Sequence, residues 1–179
     1  ISAPWDATTA RRNGSSYAPD AIIEASRKID FYEPSAPYSW RKGIATLPID
    51  YSIQDLSHRL RSDAQRVVKV YEEMGLEGLD NIIYSRRLRH VNEGSLAVNE
   101  NIYRQSQEWL SRGKIVGLVG GDQSSAFGLM RAVSEKYDGV GILHIDSKSD
   151  LKVQDELWIT FVQSISSKQN SFSHRATDI

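Results

Sequence analysis

Two short apolar runs in the second half of the chain constrain its fold more than any other feature. Residues 114–119 read Lys-Ile-Val-Gly-Leu-Val, and residues 139–145 read Gly-Val-Gly-Ile-Leu-His-Ile. Runs of this length and composition predict strands that are buried on both faces of a parallel sheet. Between them, residues 124–136 carry apolar side chains at helical spacing, namely Phe127, Met130 and Val133. A buried strand, a helix and a second buried strand predict an α/β fold.

Polar residues follow both predicted strands. Gly120-Gly121-Asp122-Gln123 comes after the first strand, and Asp146-Ser147-Lys148-Ser149-Asp150 comes after the second. Because functional residues of open parallel sheets collect outside the carboxyl ends of the strands, we expect these two segments to lie side by side. The hydroxyls of Ser124 and Ser125 are expected to cap the following helix, and Asp122 to fix the same turn. No Gly-x-Ser-x-Gly arrangement is present, which disfavours a serine nucleophile.

The first half of the chain is predicted to be mainly helical. Pro19 opens a helix whose inward residues are expected to be Ile22, Ala25 and Ile29. Residues 52–74 form a second amphipathic pattern that ends at Gly75, with apolar positions Ile53, Leu56, Leu60, Ala64, Val67, Val68, Tyr71 and Met74. Between these helices, the proline- and aromatic-rich residues 31–42 predict an ordered surface loop, and residues 43–50 predict a short strand.

A third helical pattern precedes the first apolar run and ends at Gly113. Its inward stripe is expected to contain Leu96, Asn99, Tyr103, Ser106 and Leu110, with Trp109 in the core beside it. Residues 76–91, which come before this helix, are expected to be irregular. Within them, residues 86–90 read Arg-Arg-Leu-Arg-His, which we interpret as a solvated charge run, because no glycine-rich cradle or aromatic interleaving suggests a phosphate or nucleic-acid site.

Composition excludes several classes of protein. The chain has 179 residues, enough for one domain, and a formal charge of −1, which disfavours nucleic acid and anionic membranes as partners. It has no cysteine, so disulfide scaffolds, zinc ribbons, iron–sulfur clusters and thiol catalysis within it are excluded. No apolar run approaches the roughly 20 residues that span a bilayer. We expect a cytoplasmic protein without a membrane or nucleic-acid partner and, because both ends look cut, a fragment.

Several motifs, in order along nearly the whole chain, resemble those of one family, the ureohydrolases, which include arginase, agmatinase, formiminoglutamase and guanidino hydrolases. The start of the chain, residues 4–9 with Gly14 and residues 19–22, resembles the agmatinase-type start. Residues 120–124 resemble the family's Gly-Gly-Asp-His-Ser motif, and residues 144–151 resemble its His-x-Asp-Ala-His-x-Asp-Leu motif. Residues 172–174 resemble the family's later Ser-His element. The resemblance implies a three-layer α/β/α fold with a central parallel sheet. Residues 1–179 are then a single domain that corresponds to the N-terminal portion of the family's full domain.

The resemblance also implies a binuclear manganese site, in which two ions deprotonate a bridging water that attacks a guanidinium carbon. In this chain Gln123 stands at the first histidine ligand position and Lys148 at the second, while Asp146 and Asp150 persist. A neutral amide is a weak replacement for imidazole, and an ammonium places positive charge where a cation should bind. The family's third, Asp-rich motif has no counterpart before residue 179. We therefore predict that the metal site is vestigial.

This reasoning predicts a pseudoenzyme with no cofactor. Lys148 would offset the repulsion between Asp146 and Asp150 that a lost metal leaves behind. No catalytic residue is assigned, although His174 resembles the family's substrate-loop histidine. Such a protein is expected to act by binding, as a homo-oligomer or as the partner of an active paralogue.

Other interpretations stay open. Asp146, Asp150 and Gln123 could hold one hard cation through oxygen, or a deprotonated Lys148 could act as a base or nucleophile. His144 is interpreted as a core histidine, with a catalytic role as the competing view. The alternative function is an active hydrolase of a linear amidine or guanidine C–N bond, with a rebuilt Mn²⁺ site. Residues 152–170 depart from the family pattern, and their apolar part, 157–165, is assigned to neither helix nor strand.

Overall fold

The computed structural model describes residues 1–9, 13–143 and 145. Its regular elements are two short strands, four α-helices and four short 3-10 helices. In chain order the strands and α-helices are β1 (Ser2–Ala3), α1 (Ala18–Ser26), α2 (Tyr51–Met74), α3 (Ile82–Ser111), β2 (Val119–Gly120) and α4 (Phe127–Lys136). The 3-10 turns are Ser15–Tyr17, Ser39–Lys42, Leu76–Asp80 and Gln123–Ala126. None of the described helices combines the length and the apolar character that a membrane crossing requires.

Helices α2 and α3 pack antiparallel and provide most of the core. The Asp50 side chain caps α2 by accepting the N–H of Ser52 at 3.0 Å, and Gly75 ends it with a φ of +65°. The predicted apolar face of α2 is confirmed at Ile53, Leu60, Ala64 and Val67, which are buried together with Ser57, Arg61 and Val70, but Met74, predicted on the same face, is exposed. The main core cluster joins this face to α3 and to the N-terminal segment through Ala3, Trp5, Ala7, Val91, Val98 and Ile102.

A glycine allows the two long helices to approach each other. A β-carbon added at Gly94 of α3 would overlap Leu60 Cδ1 of α2. The same device recurs where α4 crosses α3, because a β-carbon at Gly128 would overlap the backbone carbonyl of Asn99. Both crossings therefore depend on the missing side chain, since close-packed interiors leave no room for an extra methyl group.

Strands β1 and β2 pair in parallel, with Ser2 opposite Val119 and Ala3 opposite Gly120. This pairing brings the first residues of the chain into the core, where Trp5 is fully buried. A parallel strand pair combined with four α-helices agrees with the predicted α/β character. The described residues hold only these two strands, and the predicted three-layer arrangement lies beyond what they show.

The two apolar runs differ from the prediction of doubly buried strands. Of the first run only Val119 lies in a strand, as the first residue of β2, and Ile115 is fully exposed. In the second run, residues 139–143 and 145 have no strand structure, and Leu143 and Ile145 are exposed. The physical reason is the lack of neighbours, because among the described residues only β1 pairs with β2.

Two further predictions in the first half of the chain are wrong. Residues 43–50 form no strand; Pro48 removes a donor, and no described segment pairs with them. The inward face expected for α1 is exposed at Ile22 and Ala25, as is Ile29 after the helix, because no described element covers it. The prediction of a surface loop at residues 31–42 is confirmed, since all of them are exposed.

Helix α3 begins earlier than predicted, at Ile82 rather than after residue 91. Asn81 caps it by accepting the N–H of Ile83 at 2.9 Å, a start signal that the sequence reasoning missed. The charge run therefore lies on a helix, where Arg87 pairs with Asp63 of α2 while Arg86, Arg89 and His90 are exposed. Leu96 is more than half exposed because Gly94 and Ser95 face the core instead.

Candidate functional site

The turn that follows β2 is built against the N-terminal segment. The N–H of Gly121 donates to the carbonyl of Ala3 at 2.8 Å, and the N–H of Asp122 donates to the carbonyl of Trp5 at 2.7 Å. A β-carbon at Gly121 would overlap the backbone of Trp5, so only glycine permits this approach. The two segments consequently form one unit at the carboxyl end of β2.

Hydrogen-bond donors surround the carboxylate of Asp122. Its Oδ2 accepts the hydroxyls of Thr8 at 2.6 Å and Thr9 at 3.3 Å, while its Oδ1 accepts the hydroxyl and the N–H of Ser124 at 2.6 and 3.1 Å. Burial raises the pKa of Asp122 above its ordinary value, and these donors offset that effect only in part. The expectation that Asp122 fixes the turn is confirmed.

The two serines of the turn have a different role from the one predicted. Asp122, and not a serine, caps the 3-10 turn Gln123–Ala126, because its side chain accepts the N–H of Ser124. The hydroxyls of Ser124 and Ser125 instead donate to Asp122, to its carboxylate and to its carbonyl at 2.8 Å respectively. Trp5 completes the network by donating its indole N–H to the Ser124 hydroxyl at 3.1 Å.

The side chain of Asn99, on α3, holds the turn through hydrogen bonds. Its side-chain amide donates to the carbonyls of Ser124 at 2.8 Å and Ser95 at 3.0 Å, and its Oδ1 accepts the N–H of Gly128 at 2.9 Å. The contacts with Ser124 and Gly128 join α3 to the beginning of α4, while the contact with Ser95 lies within α3. Sequence reasoning placed Asn99 only on an inward stripe, although a buried amide in such a stripe signals a bridging role.

A second buried carboxylate, Asp6, lies on the other side of the N-terminal segment. It accepts the Ser57 hydroxyl at 3.0 Å and the Gly14 N–H at 2.9 Å, while Arg61 donates to its backbone carbonyl and to Asn13 Oδ1. Burial alone would raise the pKa of Asp6, but these N–H and hydroxyl donors, with the charge of Arg61, hold it below its ordinary value. The sequence reasoning missed this cluster.

Gln123 is exposed at the mouth of an open cleft of about 400 Å³. The cleft lies between the turn and α4, and it is lined by Gly121, Asp122, Gln123, Leu118, Leu129 and Met130. Among the site residues that the sequence predicted, Gln123 is in the described part of the chain. Asp146, Lys148, Asp150, His144 and His174 lie outside the described residues.

The described residues of this turn do not fit a manganese centre. Gln123 offers a neutral amide in place of the expected imidazole, and both oxygens of Asp122 are engaged by protein donors. Within residues 1–9, 13–143 and 145, no group of three or more His, Cys, Asp or Glu side chains is arranged to hold a metal ion.

Comparison with known proteins gives one match. The sequence model of the arginase family matches residues 1–174. No curated protein matches the chain, and neither does any solved structure. The family match covers nearly all of the sequence, including the segments that form the turn after β2 and the N-terminal strand beside it. This chain therefore belongs to the arginase family.

Proposed function

We propose that this chain is an agmatinase-like member of the arginase family that has lost the binuclear manganese site and guanidino hydrolysis, and that it acts through binding. The observation that carries the proposal is Gln123, a neutral amide at the carboxyl end of β2, in the position of the family's first histidine ligand. An amide oxygen binds such a cation more weakly than an imidazole does.

Sequence chemistry at the second motif supports the same conclusion. Lys148 takes the position of the second histidine ligand between Asp146 and Asp150. Its ammonium has no lone pair for a metal, and its positive charge substitutes for the cation that the two carboxylates would otherwise share. A protein altered in this way retains the surfaces of its fold, and we propose that it associates with a second copy or with an active paralogue.

Calorimetric titration of the full chain with Mn²⁺, paired with an assay for urea release from agmatine and arginine, tests the proposal. We expect no heat of specific binding and no urea. The double variant Gln123→His, Lys148→His is expected to take up at least one ion. Gln65→His, Lys28→His is the matched control, because it makes the same exchanges at exposed positions on α2 and beyond α1.

Three results would contradict the proposal. Tight binding of two ions by the unmodified chain, with urea release, would favour the alternative of an active metal-dependent hydrolase of a linear amidine or guanidine C–N bond. Urea release without added metal would also refute the loss of activity. If the restored variant folds but binds no more Mn²⁺ than the control, the replacement of Gln123 and Lys148 does not explain the loss.

A further inference from the structure

One pair of residues in the N-terminal segment has a sequence that favours attack of a backbone nitrogen on a side-chain carbonyl. Asn13 is followed by Gly14, and no other asparagine in the 179-residue sequence is followed by glycine. Asn13 and Gly14 are both exposed, and Gly14 has a φ of +117°. Because glycine has no side chain to block the approach, its backbone nitrogen can reach the side-chain carbonyl carbon of the preceding asparagine.

Two charged side chains, those of Asp6 and Arg61, form hydrogen bonds with the groups that would react. The N–H of Gly14 donates to Asp6 Oδ2 at 2.9 Å, so a carboxylate faces the proton of the attacking nitrogen. The Arg61 guanidinium donates to Asn13 Oδ1, the oxygen that would take up negative charge. A base on the nucleophile and a cation on the electrophile are the arrangement that lowers the barrier to attack on a carbonyl.

Burial fixes both groups in place. Asp6 is only 3% exposed and Arg61 only 9%, and each has further partners that hold it, Ser57 for Asp6 and the Asp6 carbonyl for Arg61. Preorganised groups need no rearrangement when charge develops, which makes them more effective than the same groups in water.

We propose that Asn13–Gly14 is a built-in site of succinimide formation and deamidation, promoted by Asp6 and Arg61. The Gly14 nitrogen forms a bond to Asn13 Cγ as its proton passes to the Asp6 carboxylate. The bond from Cγ to the side-chain nitrogen then breaks, and ammonia leaves with that proton. Water opens the cyclic imide at either carbonyl, which gives aspartate or isoaspartate.

The modification would change the N-terminal segment in two ways. Aspartate at position 13 places a new negative charge beside Arg61, whereas isoaspartate inserts an extra methylene into the backbone between β1 and α1. The same segment carries Thr8 and Thr9, which hold the Asp122 carboxylate. Deamidation is therefore positioned to alter the turn at the carboxyl end of β2.

The test compares deamidation rates in the folded chain and in urea at the same pH and temperature. Tryptic cleavage after Arg12 and Arg27 releases residues 13–27, whose asparagine, aspartate and isoaspartate forms are separated by mass spectrometry and by isoaspartyl-specific methylation. We expect the folded chain to react about tenfold faster than the unfolded chain. Asn101, which precedes Ile102, serves as the internal reference.

Variants distinguish the effects of Asp6 and Arg61 on the deamidation rate from the reactivity of the Asn-Gly sequence itself. Asp6→Asn and Arg61→Gln should each slow the folded reaction towards the unfolded rate, while Asp55→Asn, at an exposed carboxylate on α2, should leave it unchanged. If the Asp6 and Arg61 variants fail to fold, the comparison of folded and urea-unfolded wild-type chain decides alone. A folded rate equal to or below the unfolded rate, or a product with aspartate but no isoaspartate, would overturn the proposal.

Discussion

At the scale of single residues, two carboxylates, Asp6 on the N-terminal segment and Asp122 in the turn after β2, respond oppositely to their surroundings. Asp6 accepts an N–H and a hydroxyl beside a guanidinium, and its pKa is lowered. Asp122 accepts hydroxyls and an N–H, with no cation among the chief influences on it, and burial raises its pKa. Burial therefore outweighs the donors at Asp122, whereas the donors outweigh burial at Asp6, where the charge of Arg61 makes the smallest contribution.

The raised pKa of Asp122 predicts a pH dependence of stability. The folded state holds this proton more tightly than the unfolded state, whose pKa is about 3.9. The stability that Asp122 contributes is thus fully present below that value and is lost as pH rises through the folded pKa. The unfolding free energy of the wild type, relative to Asp122→Asn, should fall as pH rises from about 3.9 through the raised pKa of Asp122 in the folded state.

Urea unfolding at several pH values measures this difference. Asp55→Asn removes an exposed carboxylate and controls for the change in net charge. A difference between wild type and Asp122→Asn that stays constant, or grows, as pH rises would refute the prediction.

A second prediction at this scale concerns Gly121. A β-carbon there meets the backbone of Trp5, which cannot rotate away as a side chain can. Gly121→Ala is expected to lower the unfolding free energy by about 3 kcal/mol, in the upper range for overpacked sites. Gly117→Ala, where the added carbon meets nothing within 4 Å, is the matched control in the same urea titration. Equal midpoints for the two variants would show that the close approach is not required.

At the scale of elements, the sequence predicted what depends on local periodicity and failed where neighbours decide. The face of α2 was predictable because Ile53, Leu60, Ala64 and Val67 repeat at helical spacing. The apolar run at residues 114–119 has the composition of a strand, but a strand forms only where hydrogen-bonding partners exist, and β1 supplies them at Val119–Gly120 alone.

The glycines at the two helix crossings predict which of two alanine variants lowers the unfolding free energy more. Gly94→Ala and Gly128→Ala both gain about 1 kcal/mol of helix propensity, so the difference between them reports packing. At Gly94 the added carbon meets the end of the Leu60 side chain, whereas at Gly128 it meets the backbone of Asn99 and Tyr103. Gly128→Ala should therefore be more destabilising than Gly94→Ala, by about 2 kcal/mol in urea unfolding.

A shorter side chain at position 60 tests whether the overlap with Leu60 causes the cost of Gly94→Ala. Leu60→Val shortens the side chain that faces Gly94, so it should reduce the cost of Gly94→Ala in a double-mutant cycle. The same Leu60→Val change should not alter the cost of Gly128→Ala. A cost for Gly94→Ala that equals or exceeds that of Gly128→Ala would contradict the ranking.

At the scale of the whole molecule, the site is a meeting of segments that are distant in sequence. The sequence pointed to Gly120-Gly121-Asp122-Gln123 because glycines and a carboxylate follow an apolar run. It did not reveal that Thr8, Thr9 and Asn99 are the partners of this turn, because nothing local in a threonine pair or a helical asparagine specifies a contact more than twenty residues away.

The pairing of Ser2 with Val119 also has a consequence for the order of folding. Helices α2 and α3 are neighbours along the chain, so they can form a hairpin early, whereas β1 and β2 must close a loop of most of the described chain.

Stopped-flow measurements should show that Leu60→Ala chiefly slows folding and that Gly121→Ala chiefly speeds unfolding. The turn after β2 would then be the last part of the molecule to assemble and the first to open, so opening there can occur while the helical hairpin stays intact.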